Sequence, residues 1–187
     1  CAEAIKLRGE YVPRTIALSF DDGYASVQEL ALPLLEQYGF TATVFMTSEF
    51  VDKQVIDGEA RFKALSKVQL QALVAAGCEL GSHSRRHLDL RKLTPELQRE
   101  ELVQSKLALE KIIAKPVVTF CYPQGRYSEE VMRNVQLAGY LGACSVFQGR
   151  RKLSFAQYAY DRLELSTHDH LLNDLEFWLK TSGRYLV

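Results

Sequence analysis

The chain has 187 residues, a length that suits one domain with a buried core of its own. Its 23 lysines and arginines balance its 23 aspartates and glutamates, which excludes the strong basic field of a nucleic-acid-binding protein. No apolar run reaches the roughly 18 to 20 residues that span a bilayer, and no signal peptide is recognisable. We therefore predict a single domain over residues 1–187, with no transmembrane segment and no nucleic-acid partner.

Strand-like and helix-like segments alternate along the chain. Six short runs rich in β-branched, aromatic or small apolar residues are predicted as strands: 15–20, 41–46, 78–82, 117–121, 141–146 and 162–165. Five segments with apolar residues at helical spacing are predicted as helices: 25–38, 66–76, 94–113, 128–139 and 171–180. Pro33 should kink the first helix, and Gly39 suits the left-handed residue that ends it. Residues 49–62 and 149–152 fall outside this alternation and are predicted to form rims of a binding site.

The alternation predicts an α/β fold with a largely parallel sheet, because right-handed crossovers then bring the strand ends together. Polar residues follow three of the predicted strands. Asp21 and Asp22 follow the first, His83 follows the third, and the segment 122–125 follows the fourth. The carboxyl ends of parallel strands form the active face of such folds, so we expect these residues to meet there.

The cysteines show neither a CxxC pair nor a zinc-finger spacing. Cys78, Cys121 and Cys144 lie in or beside predicted strands and are predicted to be small buried apolar residues. Cys1 is what a mature bacterial lipoprotein or a trimmed chain would begin with, and the sequence leaves both readings open.

Two adjacent carboxylates, Asp21 and Asp22, and two histidines, His83 and His87, are what a hydrolytic metal site needs. The histidines can face one point if the backbone between them is helical or tightly turned. One aspartate would complete a two-histidine, one-carboxylate set, and the other would be free to act as a base on water. Taken singly, the aspartates would suit a turn and each histidine a surface or core position; together they favour the metal site.

These motifs resemble those of the NodB-type polysaccharide deacetylases, carbohydrate esterase family 4. The resemblance rests on Ser-Phe-Asp-Asp-Gly, the later run Leu-Pro-Leu-Leu-Glu-Gln-Tyr-Gly-Phe-Thr-Ala-Thr-Val-Phe-Met, and His-Ser-x-x-His, and it extends over residues 16–165. It implies a distorted (β/α) barrel of about seven parallel strands. It further implies that Asp22, His83 and His87 bind one divalent metal ion, zinc with cobalt or nickel as alternatives, and that Asp21 is the general base.

The third motif of the family is altered in this chain. Many members read Arg-Pro-Pro-Tyr-Gly, whereas residues 121–125 read Cys-Tyr-Pro-Gln-Gly. Gln124 is predicted to supply the backbone N–H that the family's tyrosine contributes to an oxyanion hole, since a backbone donor needs no particular side chain. Arg162 resembles a later arginine that a Tyr-Pro-x-Gly branch of the family uses to hold the base. We therefore predict that Arg162 holds Asp21, the alternative being a surface arginine.

Two further assignments come from the resemblance. His168, in Leu-Ser-Thr-His, is one residue beyond the family's Leu-x-His spacing and is predicted to be the general acid for the leaving amine; the alternative is a capping or exposed loop histidine. Tyr122 is predicted to line the sugar groove, because sugar rings stack on aromatic rings, although it would equally suit the core.

The resulting functional prediction is a metal-dependent hydrolase that removes acetyl groups from N-acetylated, or O-acetylated, sugars of a cell-surface or extracellular polysaccharide. The resemblance implies an extracytoplasmic location in a bacterium. Two alternatives remain open at this stage. One is hydrolysis of a small amide or imide on the same scaffold, and the other is a carbohydrate-binding module that keeps the metal but has lost turnover.

Overall fold

The computed structural model describes residues 16–57, 60–146 and 155–162. Within these ranges the chain forms nine strands: β1 (Ser19–Phe20), β2 (Thr43–Met46), β3 (Gln54–Asp57), β4 (Ala60–Lys63), β5 (Glu79–Ser82), β6 (Thr119–Cys121), β7 (Gly142–Val146), β8 (Phe155–Ala156) and β9 (Ala159–Arg162). It also forms four α-helices: α1 (Leu32–Tyr38), α2 (Lys67–Ala75), α3 (Pro95–Ile113) and α4 (Glu129–Leu137). None of the described helices is both long enough and apolar enough to cross a membrane.

Of these strands, β3 and β4 form a separate two-stranded sheet, and the other seven build one curled sheet in the order β1-β2-β5-β6-β7-β9-β8. Its first six members run parallel, and β8 pairs antiparallel with β9 at the edge. The curl brings the two ends of the parallel set together, since Arg162 at the end of β9 donates from Nη1 to Ser19 Oγ in β1 at 2.8 Å. The prediction of a distorted (β/α) barrel is confirmed, with six parallel strands in the part of the chain described and a seventh, antiparallel strand beside them.

Helix starts follow the local chemistry of the sequence. The side chains of Ser66, Thr94 and Ser128 each accept a hydrogen bond from a backbone N–H in the first turn of α2, α3 and α4. In α2 this is a capping box, completed by the Gln69 side chain. Because such caps depend only on residues three positions apart, these helices begin where the sequence predicts.

The helix predicted over residues 25–38 begins with a turn that is wider than an α-helical turn. Residues Val27–Ala31 form a π-turn, and α1 follows it directly, ending at Gly39 with φ +67°. Leu32 N–H donates to Val27 O, five residues back. Pro33 has no N–H to donate, so the local α-helical ladder is interrupted here and the kink predicted at this proline takes the form of a widened turn.

Two hairpins fall outside the predicted elements. β3 and β4 pair antiparallel within the region expected to form only a rim, and β8 and β9 form the second hairpin. The last strand is predicted over residues 162–165, whereas β9 already begins at Ala159 and reaches Arg162, the last residue of its described range. Residues 163–165, the predicted helix 171–180 and His168 lie outside the described ranges.

The apolar interior has two parts. The larger lies between the sheet and its helices, and the smaller is formed by Phe45, Cys121 and Cys144 with Tyr160 packed against them. Cys78, Cys121 and Cys144 are buried and free, which confirms the prediction that they are buried. Cys121 differs from a purely apolar core residue in that its thiol contacts charged side chains. The Arg162 guanidinium lies 5.3 Å from the centre of the Phe45 ring, so the smaller cluster forms the floor beneath Arg162.

Candidate metal centre

The two adjacent aspartates point to different partners. Asp22 Oδ1 lies 3.4 Å from His83 Nε2 and 3.3 Å from His87 Nε2. Asp21 instead faces Arg162 and Cys121. The separation follows from the backbone, because Asp22 adopts φ +66° and the chain turns sharply after β1.

The Asp22 group has the features of a metal site. Asp22 Oδ1 is buried, and among the described residues it has no hydrogen-bond partner. His83 Nδ1 lies 2.8 Å from the Cys121 carbonyl oxygen, to which it donates its proton, so the lone pair of Nε2 is directed at Asp22. Two imidazole nitrogens and one carboxylate oxygen therefore converge, and their ligand atoms lie within 4.8 Å of one another. This donor set suits zinc and other first-row divalent ions.

A tight turn, and no helix, connects the two histidines. Ser84 has φ +66° and His87 has φ +61°, and the Ser84 Oγ accepts a hydrogen bond from the His87 N–H at 3.0 Å. With Asp22, three of the non-glycine residues with positive φ in the described ranges belong to this site. Such backbone conformations cost energy, so they persist only where contacts with the surrounding structure stabilise them.

Gly23 belongs to the same turn as Asp22 and has φ +78°. A Cβ atom at this position would lie 2.0 Å from Met46 Sδ. The backbone conformation therefore favours glycine after the two aspartates, and any larger residue there would also have to displace the Met46 thioether.

Arg162 and Asp21 form a two-pronged ion pair. Arg162 Nη1 donates to Asp21 Oδ1 at 2.8 Å, and Nη2 donates to Oδ2 at 2.6 Å. The guanidinium also donates from Nε to the Ser145 carbonyl at 3.2 Å, and its side chain is only 18% exposed, which does not agree with a surface arginine. Burial raises the pKa of the Asp21 carboxyl, but pairing with Arg162 outweighs that effect and holds this pKa below its usual value.

Cys121 is a site residue that the sequence analysis assigned only to the core. Arg162 Nη2 lies 2.9 Å from Cys121 Sγ, and the thiol donates to Asp21 Oδ2 at 3.4 Å. Burial raises the pKa of the Cys121 thiol, which favours the neutral, donating form. The available signal was the position itself, because Cys121 stands where many relatives of the resembled family carry the arginine of their third motif.

The assignment of Tyr122 to sugar binding is wrong for this structure. The side chain is fully buried, stacks on Tyr127 and donates its hydroxyl to the Tyr158 carbonyl at 2.7 Å. The physical reason is the direction of the chain after β6, which turns Tyr122 into the core. The alternative prediction, that Tyr122 belongs to the core, agrees with the structure.

Gln124 lies at the surface of the same turn with φ +58°. The two hydrogen bonds that close this turn use the amides of Gly125 and Arg126, which donate to the carbonyls of Tyr122 and Pro123. Neither of these two bonds uses the Gln124 N–H. Its role as an oxyanion donor stays a prediction. His168, the predicted general acid, lies outside the described residues.

Comparison with known proteins gives a family match and named relatives. The sequence model of the family "Polysaccharide deacetylase" matches residues 8–143. YxkH of Bacillus subtilis, named as a candidate polysaccharide deacetylase, is 28% identical over 153 residues, which are 82% of this chain and 52% of YxkH. The poly-beta-1,6-N-acetyl-D-glucosamine N-deacetylase of Staphylococcus aureus strain MRSA252 is 27% identical over 146 residues, 72% of this chain and 48% of that protein. The chain thus spans about half the length of these two relatives.

A solved structure has the same fold. The deacetylase PplD of Streptococcus pyogenes, in complex with acetate, superposes with a TM-score of 0.79 at 21% sequence identity. The match covers 94% of this chain and 76% of PplD. At this level of identity the likeness establishes the common architecture, and the chemistry of the site has to be argued from its own residues.

Proposed function

This chain belongs to the NodB-type polysaccharide deacetylases, and from that membership we propose that it is a metal-dependent hydrolase that removes acetyl groups from N-acetylated sugars of an extracellular polysaccharide. The observation that carries the proposal is the opposite orientation of two adjacent aspartates. Asp22 faces two histidine nitrogens, while Asp21 is held by Arg162. A site that only bound a metal would have no use for the second, separately held carboxylate.

Asp22, His83 and His87 would hold the ion. A divalent ion bound there supplies Lewis acidity, which lowers the pKa of water and polarises an acyl carbonyl. Asp21 accepts a proton from the water that adds to the acetyl carbon. Arg162 keeps the Asp21 carboxylate ionised and fixes its orientation. Asp21 Oδ2 accepts from both Arg162 and Cys121, whereas Oδ1 accepts from Arg162 alone among the described residues and so retains a lone pair for that water.

The remaining steps need an oxyanion donor and an acid. The Gln124 amide would stabilise the negative charge that develops on the acetyl oxygen, because a fixed backbone donor needs no reorganisation during the reaction. As the carbon–nitrogen bond breaks, acetate and a free amine form, and the amine must gain a proton. We propose His168 for that transfer, on the strength of the sequence resemblance alone.

The substrate class is inferred from the names of the relatives. Two of them are named for deacetylation of polysaccharides, one specifically for poly-β-1,6-N-acetylglucosamine. Such polymers lie outside the cytoplasm, so we propose an extracytoplasmic site of action in a bacterium. O-Acetylated sugars would suit the same site, because an alkoxide leaves more readily than an unprotonated amine.

The test is acetate release by protein that has been stripped with a chelator and reloaded with zinc, cobalt or nickel. The substrates are oligomers of β-1,6-N-acetylglucosamine, chitin oligomers and peptidoglycan. Asp21→Asn should retain about one ion per chain and lose activity by about 10²-fold or more, since it removes the base but no ligand. His83→Ala should lose the ion, which elemental analysis detects.

Each alternative function corresponds to a distinct result. Metal-loaded wild type that binds these glycans without releasing acetate would indicate a carbohydrate-binding module. Hydrolysis of a small cyclic imide without action on any glycan would indicate the small-amide alternative. Wild type that retains no metal would remove the basis of the proposal.

A further inference from the structure

Helix α3 presents two buried polar side chains to the loop that connects His83 and His87. Glu101 and Ser105 lie one helical turn apart on the same face of α3, and both are fully buried. Burial of a carboxylate is costly unless hydrogen bonds and a counter-charge compensate it, so a fully buried glutamate indicates specific partners. In the part of the chain that the structure describes, the side-chain hydrogen bonds of Glu101 all go to this loop between His83 and His87, the histidine loop.

Glu101 holds the backbone between the histidines. Its Oε2 accepts hydrogen bonds from the Arg85 N–H at 3.1 Å and from the Arg86 N–H at 2.8 Å. Its Oε1 accepts from Arg86 Nε at 2.5 Å. One carboxylate therefore fixes two consecutive amides and neutralises its own charge with a side chain of the same loop.

Ser105 holds the other end of the loop. Its hydroxyl donates to the Ser84 carbonyl at 2.9 Å and lies 2.8 Å from Ser82 Oγ at the end of β5. Ser84 is one of the two loop residues with positive φ, and its own hydroxyl accepts from the His87 amide. Ser105 thus acts on the residue whose conformation turns the chain from one histidine to the other.

The opposite side of the loop is held by the segment after β2, through backbone amides and through two side chains. The Thr47 hydroxyl donates to the His83 carbonyl at 3.2 Å, and Glu49 Oε1 accepts from Arg85 Nε at 2.8 Å. The amides of Ser48 and Glu49 donate to the carbonyls of Ser84 and Arg85, at 3.1 and 3.0 Å. The loop is therefore fastened between the segment after β2 and one face of α3. The two supports differ in what their side chains reach. Those of α3 bond the backbone of the residues between the two histidines, whereas those after β2 bond the His83 carbonyl and the Arg85 guanidinium.

We propose that Glu101 and Ser105 are positioning residues for the metal centre, which hold the histidine loop in its strained conformation so that both Nε2 atoms face Asp22. This inference rests on the proposed function, because it assumes that His83 and His87 bind an ion. Contacts that orient ligands in this way commonly change metal affinity by 10- to 100-fold when they are removed.

The test measures zinc affinity by competition with a chelator of known affinity, and the coordination geometry by the visible spectrum of the cobalt form. Glu101→Gln has the size of the native residue but only one acceptor oxygen, so it cannot serve both amides and Arg86 Nε together. We expect its zinc dissociation constant to rise 10- to 100-fold and its cobalt spectrum to change. Ser105→Ala should weaken zinc binding several-fold.

The matched control is Glu100→Gln, the neighbouring residue on α3. Glu100 is exposed and pairs with the Arg85 side chain, making no hydrogen bond to the loop backbone. Its zinc affinity should stay within about twofold of wild type. If Glu101→Gln does not fold, as judged by circular dichroism, Ser105→Ala decides the question because it removes a single hydroxyl.

The outcomes separate this inference from the proposed function. Wild type that binds zinc, together with a Glu101→Gln variant that binds it equally well with the same cobalt spectrum, would overturn the inference alone. Equal weakening by Glu100→Gln would also overturn it, since loss of surface charge would then explain the effect. Wild type that binds no zinc would overturn the proposed function and this inference with it.

Discussion

Arg162 occupies the role that an arginine of the third motif has in many members of the family, but it comes from a different strand. It comes from β9, whereas the altered third motif follows β6, yet it reaches Asp21 with two hydrogen bonds. Cys121 fills the position of the missing arginine and contacts both members of the pair. The guanidinium fork matches a carboxylate in a way that an ammonium group cannot.

We therefore expect Arg162→Lys to lower acetate release about 10- to 100-fold while leaving the metal content unchanged. Lysine keeps the charge but cannot bond both Asp21 oxygens, so the base loses its orientation. Steady-state rates and elemental analysis of the same samples measure the two quantities. Arg126→Lys is the control, because Arg126 is exposed and its guanidinium pairs with Asp89, at 3.5 Å, and not with Asp21. Wild-type rates in Arg162→Lys would show that Asp21 needs only a nearby positive charge.

Residues of the site differ in how far the sequence could predict them. Asp21, Asp22, His83 and His87 stand in short motifs, so their meeting follows from motif order and from the parallel sheet. Glu101 gave no signal, because it follows Arg99 and Glu100 in a helix and would be taken for a solvated charge. Its importance depends on which face of α3 meets the histidine loop, and that is decided by packing.

At the scale of elements, the boundaries that depend on local chemistry were predicted well. The strands that depend on pairing with other strands were predicted poorly. Helices α2, α3 and α4 begin at serine or threonine caps, since a cap is a property of four consecutive residues. The position of β9 depends on pairing with β7, which lies outside the local sequence. The β3–β4 hairpin pairs neighbouring segments and was missed because residues 49–62 were predicted only as a rim. The position of Tyr122 was predicted wrongly for a similar reason, because the packing of the turn after β6 decides which way its side chain points.

The Tyr122 hydroxyl connects two elements of the fold. Removing this hydroxyl should therefore lower stability and leave activity unchanged. The hydroxyl connects the turn after β6 to the Tyr158 carbonyl in the β8–β9 hairpin. Tyr122→Phe leaves that carbonyl without its partner, which should lower the free energy of unfolding by about 1 to 2 kcal/mol. Urea denaturation measures this loss, with Tyr38→Phe as a control because Tyr38 is 65% exposed.

The Tyr122→Phe variant also tests whether Tyr122 is a core residue and not a sugar-binding one. KM for an N-acetylated glycan should be unchanged in Tyr122→Phe, since a buried ring has no surface left for a sugar. A large rise in KM without loss of stability would return Tyr122 to the substrate groove.

At the scale of the whole molecule, the candidate metal centre joins distant parts of the chain. Asp22 follows β1, and His83 and His87 follow β5, with β2 lying between those two strands in the sheet. An ion held by all three would connect segments some sixty residues apart in sequence, and the unfolded chain would not present the three ligands together. Binding to the native state alone raises stability by mass action.

Metal removal should therefore lower the melting temperature of the wild type. At free zinc 100 times the dissociation constant, binding adds about 2.7 kcal/mol, and for a chain of this size about 1 kcal/mol corresponds to roughly 2–4 °C. We expect chelation to lower Tm by about 5 to 10 °C, measured by calorimetry with and without zinc. His83→Ala should show no such difference, since it removes one ligand and the affinity with it. An equal zinc-dependent shift in wild type and His83→Ala would mean that zinc stabilises the protein from another site, and the assignment of Asp22, His83 and His87 would then be wrong.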